Sequence, residues 1–203
     1  AQHIAKAEVK WGTNGVIQET AEKFYERMVN WKFVCAGKAM FEAGNPGGTG
    51  QLSSCFVLPI TDEIDSIFKT LGDAAVVHKN NGGTGFNFSH IRPRGDKVKN
   101  VPGAASGPVD FLAAYSAALS KILQGAKRRG ANIGILNADH PDIKDFIYCK
   151  KIIEDMTKAL EASGIKDSIE ADIFDPYTLL PYQNANNSVR INDEFMRAVE
   201  ADG

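Results

Sequence analysis

Residues 52–60 read LSSCFVLPI. The run is short, β-prone and closed by Pro59, which predicts a strand. Behind it Ile64, Ile67, Phe68, Leu71 and Ala75 recur at three- and four-residue spacing, predicting a helix with Thr61 or Asp62 as its N-cap. That helix ends near Lys79, Asn80 and Asn81, and a glycine-flanked strand follows at 82–89 (GGTGFNFS). Strand, helix and strand in this order predict a parallel crossover and an α/β fold.

The alternation continues outward in both directions. Upstream, residues 1–31 carry Ile17, Ala21, Phe24, Met28 and Trp31 at helical spacing, and 35–50 turn glycine-rich. Downstream, 91–106 (IRPRGDKVKNVPGAAS) has too many glycines and prolines for a regular element and is expected to be a long loop. A helix should follow, buried along Phe111, Tyr115, Ala118, Leu119 and Ile122. A second basic loop, 124–131 (QGAKRRGA), leads to a strand at 132–136 (NIGIL), and Pro141 opens a helix through Ile143, Phe146 and Ile147. Residues 152–164 read as a separate helix, 168–184 as irregular, 187–191 (NSVRI) as a strand and 193–201 as a closing helix.

Composition narrows the function. Hydrophobic residues make up 43% and charged residues 24% of 203, which is globular usage. Lys+Arg at 23 against Asp+Glu at 25 gives a net charge of -2, so no global positive field gathers nucleic acid or an acidic membrane. No apolar run is long enough to span a membrane, and the first residues lack a signal-peptide core. The absent initiator Met suggests processing or an excised piece. Cys35, Cys55 and Cys149 form no CxxC pair and no zinc spacing, so a reducing cytoplasm is the expected compartment and no metal is expected.

Generic nucleotide motifs fail on inspection. Gly82, Gly83 and Gly85 do not form GxGxxG, and the spacing of Gly125 and Gly130 is followed by Ala131 and Asn132 where a P-loop needs Lys and Ser/Thr. Two basic loops remain, with Arg92, Arg94, Lys97 and Lys99 in one and Lys127, Arg128 and Arg129 in the other. Guanidinium forks suit phosphate, and a solvated positive face accounts for the same residues equally well. Taken alone, Cys55 reads as a small buried hydrophobe, Cys35 and Cys149 as structural, and His140 as part of a helix start.

Taken together, LSSCFVLPI with Asp62, HKNNGGTGFNFSHIRPRG, ASGPVDF, QGAKRRGANIGIL and HPDIKDFI resemble the large catalytic chain of ribonucleotide reductases. The tail, IEDMTKALE through YQNANNSVRINDEFM, is most similar to the adenosylcobalamin-dependent class II branch. The resemblance implies a ten-stranded α/β barrel made of two five-stranded parallel halves. Residues 51–203 would be the first half, and 1–50 a helical segment leading into it. It also implies that Cys55 is one of two cysteines that reduce the ribose. Ser54 and Gly83, with Ser53 beside them, would contact substrate phosphates and ribose. Asp62 would accept from the sugar hydroxyl of an allosteric dNTP or ATP, with Arg92 and Lys99 on its phosphates. The loop from Gln124 to Asn132, with Arg128 foremost, would carry the identity of the effector base to the substrate. Helices at 62–79 and 109–124 would pack across the two-fold axis of a homodimer, and a thioredoxin-type protein would supply reductant.

Two departures bear on this reading. Where many members have a phosphate-binding S-P-T segment, this sequence has Gly37, Lys38 and Ala39, leaving Lys38 as the substitute. The sequence also holds no Asn-x-Cys-x-Glu finger loop, no second reducing cysteine and few of the expected cobalamin contacts. The expectation is an N-terminal half that works with a C-terminal half or the remainder of the chain. The alternatives are a non-catalytic nucleotide-binding or assembly module, and a class I large-chain fragment.

Overall fold

The computed structural model describes residues 14–48, 50–99, 104–124, 128–162 and 181–202. The chain divides into two compact units, Ala1–Ser54 and Cys55–Gly203.

In the first unit α1 spans Asn14–Val29. Its Ala21 is buried, and Phe24 stacks against Phe33 with centroids 5.8 Å apart. Trp31 lies beyond the helix in the left-handed region at φ 56, not on the helical stripe to which its spacing assigned it. The glycine-rich stretch contains a short helix, α2, over Gly37–Glu42, which glycine-rich punctuation concealed. Residues 1–13 of the expected opening helix lie outside the described residues.

Among the described residues the second unit carries a parallel sheet of four strands, β1 (Cys55–Leu58), β2 (Gly83–Asn87), β5 (Asn132–Asn137) and β6 (Ala185–Arg190), in that spatial order. Helix α3 (Ile64–Lys79) connects β1 to β2, and a 3-10 turn at Phe88–His90 extends β2. Helix α4 (Pro108–Ser120) is followed by an antiparallel pair, β3 (Leu123–Gln124) and β4 (Arg128–Arg129), and then β5. Helix α5 (Ile143–Ala162) and helix α6 (Asp193–Asp202) complete the described elements. The α/β fold expected from the alternation is therefore present. The two helices expected at 141–147 and 152–164 are one, because Lys150 and Lys151 continue the same helix and do not end it.

One core holds this unit together. Phe86, Phe88, Leu112, Leu119, Leu136 and Phe146 are fully buried, each contributing roughly 1.5–3 kcal/mol through apolar burial. Tyr115 meets Phe86 edge-on at 4.9 Å and Phe88 at 5.6 Å, and its hydroxyl donates to the Ile67 carbonyl of α3. Burial drives the Tyr115 phenol far above its ordinary range.

Both helix stripes are rotated from the sequence expectation. α3 turns Ile67, Thr70, Ala74 and His78 inward and leaves Ile64 and Phe68 exposed. α4 buries Leu112, Tyr115, Ser116 and Leu119, with Ala118 outside. Neither Thr61 nor Asp62 caps α3. Glu63 occupies that position without a side-chain bond, because the Asp62 carboxylate is engaged elsewhere.

Candidate functional site

The parallel register sets the first group of residues. Cys55 and Gly83 are Cα partners at the start of β1 and β2, and Thr84 and Asn132 are partners at the start of β5. Cys55 is exposed, against the expectation that a cysteine in this strand lies buried. The reason is its place as the first residue of β1, the edge strand, whose Val57 is also exposed. Ser53 and Ser54 precede it in the chain and are exposed, the Ser53 N–H donating to Gln51 Oε1 at 3.1 Å.

Lys38 is held within its own unit. Its ammonium lies 2.8 Å from Glu42 Oε1, and the Glu42 side chain is 1% exposed. Glu42 Oε2 also accepts the Gly50 N–H at 3.3 Å.

A second group lies at the N-terminal end of α3. Asp62 accepts from Arg92 twice, from the backbone N–H at 3.1 Å and from Nε at 2.7 Å. Arg92 Nη1 also donates to the Lys97 carbonyl at 3.1 Å. Around this pair is a cavity of about 220 Å³ lined by Asp62, Ile64, Ile91, Arg92, Val98 and Phe111. Lys99 follows Val98 in the chain and is exposed.

The loop that Arg92 opens has more structure than its composition implied. The Gly95 N–H reaches the Ala105 carbonyl at 2.9 Å, the Ala105 N–H reaches Asp96 at 2.8 Å, and Lys97 bridges to Ala104. Its base is fastened to the turn before α5. His140 Nε2 bonds the Ile91 carbonyl at 2.9 Å, and the Arg94 N–H donates to Asp142 Oδ2 at 2.9 Å. His140 Nδ1 accepts from the Asp142 N–H, so His140 does more than begin a helix. Gly107 starts α4 at φ 83, and a Cβ there would press on Asp142 and Arg94, so glycine is required for both reasons.

A third group occupies the other end of α3. The exit of the β3–β4 pair, at Gly130, packs on the ring of buried His78. Gln124 and Arg128 are backbone partners across β3 and β4. Their backbones flank Lys127, which lies outside the described residues. α3 has 16 residues and so runs ~24 Å. The structure thus brings Asp62 together with Arg92, and Cys55 with Gly83, and separates the two basic loops along the length of one helix.

Cys35 and Cys149 are buried, as structural cysteines would be. Cys149 donates to the Phe146 carbonyl and accepts from Asn187 Nδ2, each at 3.3 Å, and burial pushes its thiol up. It lines a cavity of about 310 Å³ with Arg94, Asp110, Asp142 and Tyr182. The Tyr182 phenol is pushed up to about 12, first by burial and then by Cys149 and Asp110. Among the described residues no cluster of ligating side chains could hold a metal, and no helix is long and apolar enough to cross a membrane.

Comparison with known proteins bears on these groups. The family described as ribonucleotide reductase, barrel domain, matches residues 53–203. A vitamin B12-dependent ribonucleoside-diphosphate reductase of Thermoplasma acidophilum is 45% identical over 153 residues, covering 75% of this chain and 19% of that protein. One of the same description from Mycobacterium tuberculosis is 37% identical over all 203 residues, which is 25% of its own length. The alpha subunit of the class Id ribonucleotide reductase of Actinobacillus ureae superimposes with a TM-score of 0.65 at 21% identity, over 100% of this chain and 30% of that one. The chain spans about a fifth to a quarter of the curated relatives it matches. It belongs to the ribonucleotide reductase barrel-domain family.

Proposed function

We propose that this chain supplies the first part of the catalytic barrel of a vitamin B12-dependent ribonucleotide reductase. The observation that carries the reading is the register that sets the exposed Cys55 opposite Gly83 at the open edge of the sheet. A thiol there can face a ribose whose phosphates lie against the glycine strand; Ser53 and Ser54, exposed just ahead of Cys55 in the chain, stay candidates for phosphate by sequence position. Within its own unit Lys38 can meet a phosphate only by exchanging Glu42 for it.

In the proposed step Cys55 and a second cysteine from elsewhere in the reductase each give one electron and one proton. The C2'–OH bond breaks, the hydroxyl leaves as water, a C2'–H bond forms, and the two sulfurs join as a disulfide. A thioredoxin-type dithiol then regenerates both thiols. The names of the two relatives favour a ribonucleoside diphosphate as substrate.

Neither of the two cavities described among these residues can take adenosylcobalamin. The cavities of about 220 and 310 Å³ are at or below the low end for drug-sized ligands, and a corrin is far larger. We assign the cofactor to the remainder of the reductase.

The cavity at Asp62 and Arg92 fits the sugar and phosphates of an effector dNTP or ATP, with Lys99, next in the chain to the lining residue Val98, as a further cation for the phosphates. One protomer holds this cavity and the Gln124 to Asn132 loop at opposite ends of α3. Across a two-fold axis perpendicular to them paired helices run antiparallel, so a homodimer joining on α3 in that way brings the cavity of one protomer to the loop and Arg128 of its partner. Ile64, Phe68 and Val76 support such a seam: they are 57%, 55% and 59% exposed on one face, with Gly72 between them.

The test is reconstitution. Combined with the remainder of the reductase, this chain is expected to form deoxynucleotide, and Cys55→Ser should stop the reaction after at most one turnover. Sustained turnover by that variant would refute the assignment of Cys55.

A further inference from the structure

Three consecutive residues at the exit of the β3–β4 pair are gripped by two residues of the α3–β2 corner. Gly130 lies on the His78 imidazole so closely that a Cβ would overlap the ring. The Ala131 carbonyl accepts the Thr84 N–H at 3.2 Å. Asn132 Oδ1 accepts the Thr84 hydroxyl at 2.7 Å, and that hydroxyl lies 2.9 Å from His78 Nε2. All of these side chains are buried: His78 is 0% exposed, Thr84 4% and Asn132 2%.

The proton order follows from the bonds. The single hydroxyl proton of Thr84 goes to Asn132, so Nε2 of His78 carries hydrogen and donates to Thr84. Nδ1 is then a bare lone pair beneath Gly130, with no hydrogen-bond partner among the described residues. Burial pushes the histidine below its ordinary range, in keeping with a neutral ring. A buried polar string of this kind is costly unless geometry is kept, which makes it a means of fixing position.

The string ends beside the substrate strand. Thr84 follows Gly83, the partner of Cys55 across β1 and β2. At the far side the Asn132 N–H donates to the Asn184 carbonyl at 2.9 Å, next to β6.

We propose that His78 and Thr84 are positioning residues that latch the exit of the effector-sensing loop to the glycine strand, so that movement of the loop is felt at Gly83 and Cys55. The proposal rests on the effector reading given above. Without the latch, effector still binds at Asp62 and Arg92, but its identity no longer selects the substrate.

The experiment uses a complete reductase carrying this sequence, with Thr84→Val, Thr84→Ser and His78→Gln. The four ribonucleotides compete for reduction with each dNTP in turn, and effector binding is measured separately. Thr84→Val should bind effector as the parent does while the effector-driven swing in substrate preference falls by ~10-fold, within the usual range of coupling between sites. Thr84→Ser should restore the swing. His78→Gln, which keeps a donor for Thr84 but withdraws the ring beneath Gly130, should also lose it, and decides the matter if the valine variant does not fold. A parent-like swing in either Thr84→Val or His78→Gln, or no rescue by serine, overturns the latch. A parent that binds no dNTP overturns the effector reading itself and the latch with it.

Discussion

Asp62 and Arg92, 30 residues apart, are joined by two bonds to one carboxylate, the shorter 2.7 Å long. One partner lies just before α3 and the other opens the loop after β2, so the pair ties the C-terminal ends of two neighbouring strands. Its side chains are each 31% exposed, open enough to meet a ligand.

Asp62→Ala should therefore weaken dNTP binding. Loss of a charge-assisted contact to the sugar, with Arg92 released from its place, costs about 1.5–3 kcal/mol, or about 10- to 150-fold in Kd. Equilibrium dialysis with a labelled dNTP on the complete reductase reads this directly. Unchanged affinity would place the effector elsewhere.

The three thiols should separate by reactivity. Cys55 is exposed, whereas Cys35 and Cys149 are buried and Cys149 is pushed further from thiolate by its surroundings. Iodoacetamide at neutral pH, followed by peptide mass mapping, should label Cys55 first and the other two only on denaturation. Early labelling of Cys149 would contradict the packing around Phe146 and Asn187.

Tyr115 joins two helices and the sheet. Tyr115→Phe keeps the ring against Phe86 and Phe88 and removes only the bond to Ile67, so it should cost about 1 kcal/mol in urea unfolding. Tyr115→Ala opens a cavity and should cost about 3–5 kcal/mol. Equal effects would mean that the ring contributes nothing.

His78 predicts a pH dependence. Its folded pKa lies below the ordinary value of about 6.5, so the unfolded chain takes up a proton that the folded chain refuses. The stability due to neutral His78 is complete above about pH 6.5 and is lost as the pH falls toward the lowered folded value. His78→Gln has no such group, so the stability gap between parent and variant should narrow between pH 7.5 and pH 5. A gap that holds constant would mean that folding leaves the proton affinity of His78 unchanged.

The repeating elements were legible because period decides them: Ile67, Leu71 and Ala75 mark α3, and the runs at 52–60, 82–89 and 132–136 mark three strands. What period cannot show is which polar residues share the buried face. Thr70 lies on the buried face of α3 because its hydroxyl donates to the Pro59 carbonyl, and His78, Thr84 and Asn132 are buried together because Thr84 bonds both of the others, Asn132 across 48 residues of chain. Asp62 reads as a cap by position, yet Arg92 takes its carboxylate from a distance no local rule covers. Family resemblance led to Cys55 and Asp62 as site residues; His78 and Thr84 lie within the HKNNGGTGFNFSHIRPRG stretch that carries it, yet the resemblance gave neither a role.

The order of the sheet has a consequence for how the protein is made. Its described strands lie side by side in the sequence order β1, β2, β5, β6. Each strand emerging from a ribosome can therefore add to the rim of what is already formed, and none has to be inserted between strands already paired. Synthesis proceeds at about 5–20 residues per second, and N-terminal parts fold first. The sheet can thus be laid down in the order of translation, with its newest edge always the one facing the chain still to come.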